Sequence, residues 1–367
     1  MWTITCRSAA ARGRATARAS RAVTRPSSTP PSRPPTRRPD PSPLDPPETP
    51  MNFRRLTLIA LLAAALPVAA QEWPNKPLRI VVPYPPGGSS DIIARAISGP
   101  LGDALKQTVI VENKPGANGN TGTDFVAKAN DGHTLLLCDV GALAITASVY
   151  AKLPFDPSKD LRGVAMLAYS PHLLVVHPSV PANNLQELVA LSKKTPLNFA
   201  VTAIGSAPHL AGVAVEKATG AQWQYIPYKG GSQAIGDTVA GQTQVLMNGM
   251  LATLPHVQSG KLKVLGVSKS TRVPLLAQVP TIAEQGVKGF ESGTWQGLLV
   301  PAGMPAAQVT RLNAELTRII RSPEVRERLV SQGAEVYTMS PTEFGSFFER
   351  ERKSWAKVVA QGGVKID

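Results

Sequence analysis

"LRIVVPYPPGGSSDIIARAI", residues 78–97, runs from an apolar stretch through two prolines, two glycines and two serines into a second, differently spaced apolar pattern. The first part reads as a buried strand. In the second part Ile92, Ile93, Ala96, Ile97, Leu101, Ala104 and Leu105 recur at helical spacing, which predicts one face turned to a core. Ser90 or Asp91 is placed to cap that helix through a side-chain oxygen. Pro100 would cost about 3 kcal/mol in a helix interior, so a break is expected at Ser98 and Gly99, with Pro100 opening a restarted turn.

The same unit, a short β-rich run followed by a glycine turn and a helical stretch, returns four more times. It appears in "HTLLLCDVGALAIT", "LNFAVTAIGSAPHLAGVAVEKATG", "QWQYIPYKGGSQAIGDTVAGQ" and "QVLMNGMLATLPHVQSGK". Strands alternating with helices predict an α/β fold with mostly parallel sheets. The last quarter is helical: one helix opens near Pro305, and another opens with Ser340 and Glu343 at capping-box spacing. "HLLVVHPSV" (172–180) and "TWQGLLVPAGMP" (294–305) are β-rich runs that end at a proline and read as crossings between domains. The expected division is 71–171 plus 296–367 for domain 1 and 172–295 for domain 2, with a cleft between them.

Charge is unevenly spread. Of the net +14 over 367 residues, residues 1–50 carry +6, from nine arginines against Asp40, Asp45 and Glu48, and Arg54 with Arg55 adds +2. Residues 71–367 keep +6, a mildly basic balance that gives no polyanion-binding surface, so nucleic acid is not expected as a partner. Eleven prolines and little apolar surface predict a disordered extension over 1–50. Residues 51–70, "MNFRRLTLIALLAAALPVAA", have the basic start, apolar run and small-residue exit of a secretory signal peptide, with cleavage expected before Gln71 and a periplasmic destination. Met51 is therefore the expected start, with 1–50 belonging to an upstream start; an Arg/Ser-rich organellar leader is the alternative. Cys138 would be the single cysteine of the mature chain, so no internal disulfide is expected and Cys138 reads as a small buried hydrophobe.

At each strand-to-helix turn the first helical N–H groups lack intrahelical acceptors, and the helix dipole adds positive potential there. Hydrogen bonds to a charged acceptor contribute about 1.5–3 kcal/mol each, so several converging turns can hold a small anion. A nucleotide phosphate is the poorer choice: "YPPGGSSD" lacks the lysine and spacing of GxxxxGK[ST], and no GxGxxG is present. A carboxylate fits. HExxH, GxSxG and paired-cysteine patterns are absent, and the five histidines are scattered. No catalytic residue, cofactor or metal is therefore expected. Ser89 and Ser90 read as ligand donors rather than nucleophiles. His209 is a candidate ligand donor or a helix-start residue bonded to backbone, and Trp295 a cleft wall or packing residue.

The motifs "WPNKPLRIVVPYPPGGSSDIIAR", "VIVENKPGANGNTGTDFVAKANDGHTLLL", "HLAG", "IPYKGGSQAI", "VPTIAEQG" and "LVPAGMP" resemble, in order from Trp73 onward, the Bug-type extracytoplasmic solute receptors of tripartite tricarboxylate transporters. The resemblance implies a two-domain type II periplasmic-binding-protein-like fold. It also implies closure on a small organic carboxylate and delivery to the large and small subunits of a membrane permease. It further implies that Tyr84, Gly87, Gly88, Ser89, Ser90 and Asp91 grip one carboxylate through backbone N–H groups and ordered water. Gly141, Ala142, Thr202, Gly205, Ser206, Ala207, His209, Tyr228, Lys229, Gly230, Asn248 and Gly249 are expected to complete the pocket. Ala203 and Ile204 replace a flexible, often polar pair, and "CDVGALAIT" lacks a hydroxyl often found there, so an acid with an apolar body is expected over citrate. A sensor protein as partner, or a periplasmic hydrolase or isomerase using the same cleft, are the competing readings.

Overall fold

In the computed structural model, which describes residues 73–362, β1 (Leu78–Val82) alternates cleanly between two cores. Leu78, Ile80 and Val82 pack with Ile93, Ile97 and Leu101 of α1 (Ser89–Leu105), while Val81 faces the opposite side of the sheet. Each such buried aliphatic side chain contributes roughly 1.5–3 kcal/mol. The expectations for residues 1–50 and 51–70 lie outside the described residues.

The elements that follow are β2 (Val109–Asn113), α2 (Asn120–Ala127), β3 (Thr134–Asp139), α3 (Val140–Val149), the long β4 (Leu161–Val176), α4 (Leu185–Lys194) and β5 (Leu197–Val201). Next come α5 (Ala207–Thr219), β6 (Trp223–Pro227), α6 (Gly231–Val239), β7 (Val245–Gly249), α7 (Met250–Gln258), β8 (Lys263–Val267) and β9 (Gly293–Pro301). The chain closes with α8 (Ala306–Arg321), α9 (Pro323–Val330), the two-residue β10 (Glu335–Val336) and α10 (Pro341–Gly362). All five strand–turn–helix units are present, at β1–α1, β3–α3, β5–α5, β6–α6 and β7–α7.

The strand order is β2-β1-β3-β9-β4-β7-β5-β6, with β10 and β8 also paired to β4. Pairings among β2, β1 and β3 and among β7, β5 and β6 are parallel, whereas every ladder involving β4 or β9 is antiparallel. The sheets are thus more mixed than the sequence pattern predicts, because two long strands run back through their middle. β4 changes partners midway. Residues up to Pro171 pair with β9, and from His172 onward the strand pairs with β7 and β8.

His172 at this switch is fully buried. Its ring nitrogens bond Ser292 Oγ and Thr294 Oγ1, both at 2.8 Å. Its backbone N–H donates to Ser268 Oγ at 2.7 Å. Burial pushes its pKa down to about 3, so the ring is neutral.

Two local expectations need correction. Helix α1 runs unbroken through Pro100, because Ile93 and Ile97 before it and Leu101 and Leu105 after it are all buried against the same core. That packing outweighs the lost helical bond. The N-cap of α1 is Gly88, with no side-chain cap. Ser340 and Glu343 do form the expected reciprocal capping box.

Candidate functional site

The C-terminal ends of β1, β3, β5 and β7 bring their turns to one cavity of about 50 Å³. That is room for a few waters at about 10–15 Å³ each, or for the polar end of a small acid. It is lined by Tyr84, Gly88, Ser89 and Ser90 from the β1–α1 turn, Asn118, and Asp139 at the β3–α3 junction. Thr202, Ser206 and Pro208 come from the β5–α5 turn, Gly231, Asn248 and Gly249 from α6 and β7, and Thr294 and Gln296 from β9. The lining contains no lysine, arginine or histidine.

The β1–α1 turn is held from behind. Asp91 accepts from Gly87 N–H (2.9 Å) and Arg95 Nε–H (2.9 Å) through Oδ2, and from Asn113 Nδ2–H (2.9 Å) through Oδ1. Asn113 also donates to Tyr84 O at 3.0 Å. Burial opposes the Asp91 charge, but the bonds from Arg95, Gly87 and Asn113 outweigh it and hold the pKa below the usual carboxylate range. Asp91 is therefore a brace, neither cap nor cavity wall, and Gly87 has spent its N–H internally. The N–H groups of Gly88, Ser89 and Ser90, at the unpaired start of α1, remain for a ligand.

The same correction applies at β3–α3. Gly141 and Ala142 donate to Asp139 Oδ1, at 2.8 and 3.2 Å, and lie outside the cavity wall. Asp139 itself caps α3 and lines the cavity. Burial pushes its pKa up to about 7 against the opposing pull of those two amides.

In the β5–α5 turn, Ser206 caps the helix and its hydroxyl donates to Ala203 O at 2.7 Å. His209 does not reach the cavity. Its Nδ1 accepts from Gly205 N–H at 3.1 Å, its ring packs edge-on to Tyr225, and burial lowers its pKa to about 4. Ala207 is buried with Leu210 against Ile145 and Val149 of α3. Gly205, at φ +76°, would place a Cβ 2.7 Å from Val149 Cγ1. Tyr228 hydrogen-bonds Val201 O through its N–H, and Lys229 is exposed, its N–H donating to Gln233 Oε1. Gly230 lies against Pro85, where a Cβ would meet Cδ at 2.3 Å. Gly205, Ala207, His209, Tyr228, Lys229 and Gly230 hold turns or pack against neighbouring turns; they do not line the cavity.

Two residues that sequence reasoning missed are the most telling. Gln296 is 0% exposed and Asn118 is 8% exposed, yet neither amide nitrogen nor oxygen of either side chain has a hydrogen-bond partner. Both line the cavity. An unsatisfied buried amide costs about 1–3 kcal/mol, so four such atoms around one cavity ask for a polar occupant. Trp295, one residue away, faces the other side of β9 and packs against Tyr169, Tyr337 and Phe347. Strand alternation separates the two roles. The signal available in the sequence was a lone glutamine inside an apolar strand, and an asparagine in the glycine-rich stretch "GANGN".

No His, Cys, Asp or Glu cluster able to hold a metal occurs among the described residues. None of their helices is long and apolar enough to cross a membrane.

Residues 93–364 match the model of the tripartite tricarboxylate transporter family receptors, TctC. The chain belongs to this family. TctC receptors are binding proteins. BugT of Bordetella pertussis is 36% identical over 325 residues, covering 86% of this chain and 100% of BugT. Among solved structures, the periplasmic binding protein BugD superposes with a TM-score of 0.77 at 32% identity, over 80% of this chain and 99% of BugD. An R. palustris protein solved with adipate, Rpa4515, gives 0.77 at 31% identity, over 80% and 99% respectively. The TctC receptor thus has the two-domain α/β fold of periplasmic binding proteins that its motifs led us to expect.

Proposed function

We propose that this TctC receptor captures a small organic carboxylate in the periplasm and delivers it to the large and small permease subunits of a tripartite transporter. The observation that carries this reading is the cavity itself. It offers helix-start N–H groups from Gly88, Ser89 and Ser90, and two buried amides, Gln296 and Asn118, without partners. One carboxylate seats on the α1 N–H groups, where the macrodipole adds to the hydrogen bonds. The adipate bound to a relative with this fold supports an acid as the ligand class. With Ala203 and Ile204 in the third turn, an acid with an apolar body is favoured over citrate.

The lobes are 71–171 with 296–367 and 172–295, hinged where β4 changes sheet beside His172. Closure brings Pro85 onto Gly230, Val149 onto Gly205 and Ser89 onto Gly249, and the ligand bridges the two halves. Export proceeds through the signal peptide at 51–70. On this reading the receptor binds and releases its acid unchanged, in keeping with a family of binding proteins. The test is native mass spectrometry of protein beginning at residue 71, followed by a thermal-shift screen of mono-, di- and tricarboxylates. A co-purified acid, or a melting shift with an acid and none with sugars or phosphate, supports the proposal. A shift with phosphate or sugars alone overturns it.

A further inference from the structure

The carboxyl of Asp139 is out of keeping with a pocket built only for anions. Its Oδ1 is saturated by Gly141 and Ala142 N–H, while Oδ2 receives no hydrogen bond among the described residues. The residue is 8% exposed and lines the cavity, with no cationic side chain among its neighbours there. A buried charge is costly unless paired. Burial raises the Asp139 pKa against the pull of the two amides. Gln296, its register partner on β9, presents an unpartnered amide beside it. The cavity is therefore polar in two senses: donors at the start of α1, and an acceptor at the end of β3.

We propose that Asp139 selects a zwitterion, a small acid whose carboxylate sits on the α1 N–H groups and whose ammonium sits on Asp139 Oδ2. This rests on the carboxylate-receptor reading above and names the ligand class within it. A second carboxylate on the ligand would bring a negative charge toward Asp139 with no cation in the wall to offset it. An ammonium supplies both the missing charge and an N–H donor.

The test uses calorimetry at pH 7.5 on matched acids. One set is propionate, L-alanine, β-alanine and malonate; the other is hexanoate, L-norleucine, 6-aminohexanoate and adipate. The proposal expects at least one amino acid to bind tenfold or more tightly than both its parent acid and the matched diacid. Asp139→Asn, which keeps an oxygen for the Gly141 and Ala142 amides, should abolish that preference, the amino acid losing at least tenfold in affinity relative to its parent acid. Asp139→Ser gives the same comparison if the asparagine variant does not fold. Parent acids or diacids binding more tightly than every amino acid overturns the zwitterion and leaves the carboxylate receptor standing. Amino-acid binding unaffected by both variants also overturns it. No binding by any acid of either set overturns both readings.

Discussion

Asp139 and Gln296 are register partners across the antiparallel β3–β9 ladder, so their side chains share one face of the sheet and meet in one cavity. One is a carboxyl at the head of a helix, the other an amide with neither atom bonded. Stability and binding pull against each other at this pair. Gln296→Met keeps the volume and removes the unpartnered amide. The expected result is a ligand-free protein more stable by about 1–3 kcal/mol, with affinity for its acid reduced roughly tenfold or more. Thermal melts with and without ligand, alongside calorimetry, check both signs in one variant.

The pH dependence of stability depends on opposing groups. Asp139, with its pKa pushed up to about 7, holds its proton in the folded protein after the unfolded chain has lost it. Its contribution is full at low pH and is lost as pH rises from about 4 through 7. His172, pushed down to about 3, and His209, to about 4, stay neutral when the unfolded chain takes a proton. Their contribution is present above about pH 6.5 and is lost as pH falls through those values. Across roughly pH 4–6.5 the Asp139 slope offsets that of one histidine. Asp139→Asn should therefore raise stability near pH 7 by about 2–4 kcal/mol and make acid destabilisation steeper. Urea unfolding at several pH values reads this directly.

Much of the fold was legible because it rests on periodicity. The five strand–turn–helix units follow from alternation and helical spacing, and the partner change within β4 falls where "HLLVVHPSV" begins. The site was legible only in outline. Gly87, Gly141 and Ala142 sit at strand-to-helix turns as expected, but neighbouring carboxylates, Asp91 and Asp139, consume their N–H groups. A sequence does not say which acceptor a given amide will meet. Trp295 stands out by size, yet alternation sends it to the core and turns Gln296 to the cavity. Pro100 looks like a break, and tertiary packing on either side overrides it.

The proposed closure makes a glycine outside the cavity matter for binding. A Cβ on Gly230 would lie 2.3 Å from Pro85 Cδ, while one on Gly236 meets nothing within 4 Å. Gly230→Ala should weaken ligand binding by about 1–3 kcal/mol, an overpacking penalty felt in the closed form. Gly236→Ala, inside α6, should leave binding unchanged and stabilise slightly, by about 0.5–1 kcal/mol. Small-angle scattering with saturating ligand should find the Gly230 variant more open than the parent.

At the sheet switch, His172→Ala removes both ring bonds and leaves the Ser292 and Thr294 hydroxyls buried without partners. The expected loss is about 2–5 kcal/mol, from the cavity and the stranded hydroxyls together, measured by urea unfolding at pH 7.

The most direct measurement is a crystal structure of the receptor with its co-purified or screened acid. Carboxylate oxygens should lie about 2.7–3.1 Å from the backbone nitrogens of Ser89 and Ser90, with a ligand atom hydrogen-bonded to the Gln296 amide. An acid seated away from the start of α1 and met by side chains alone, with Gln296 and Asn118 still unpartnered, would contradict the proposed site.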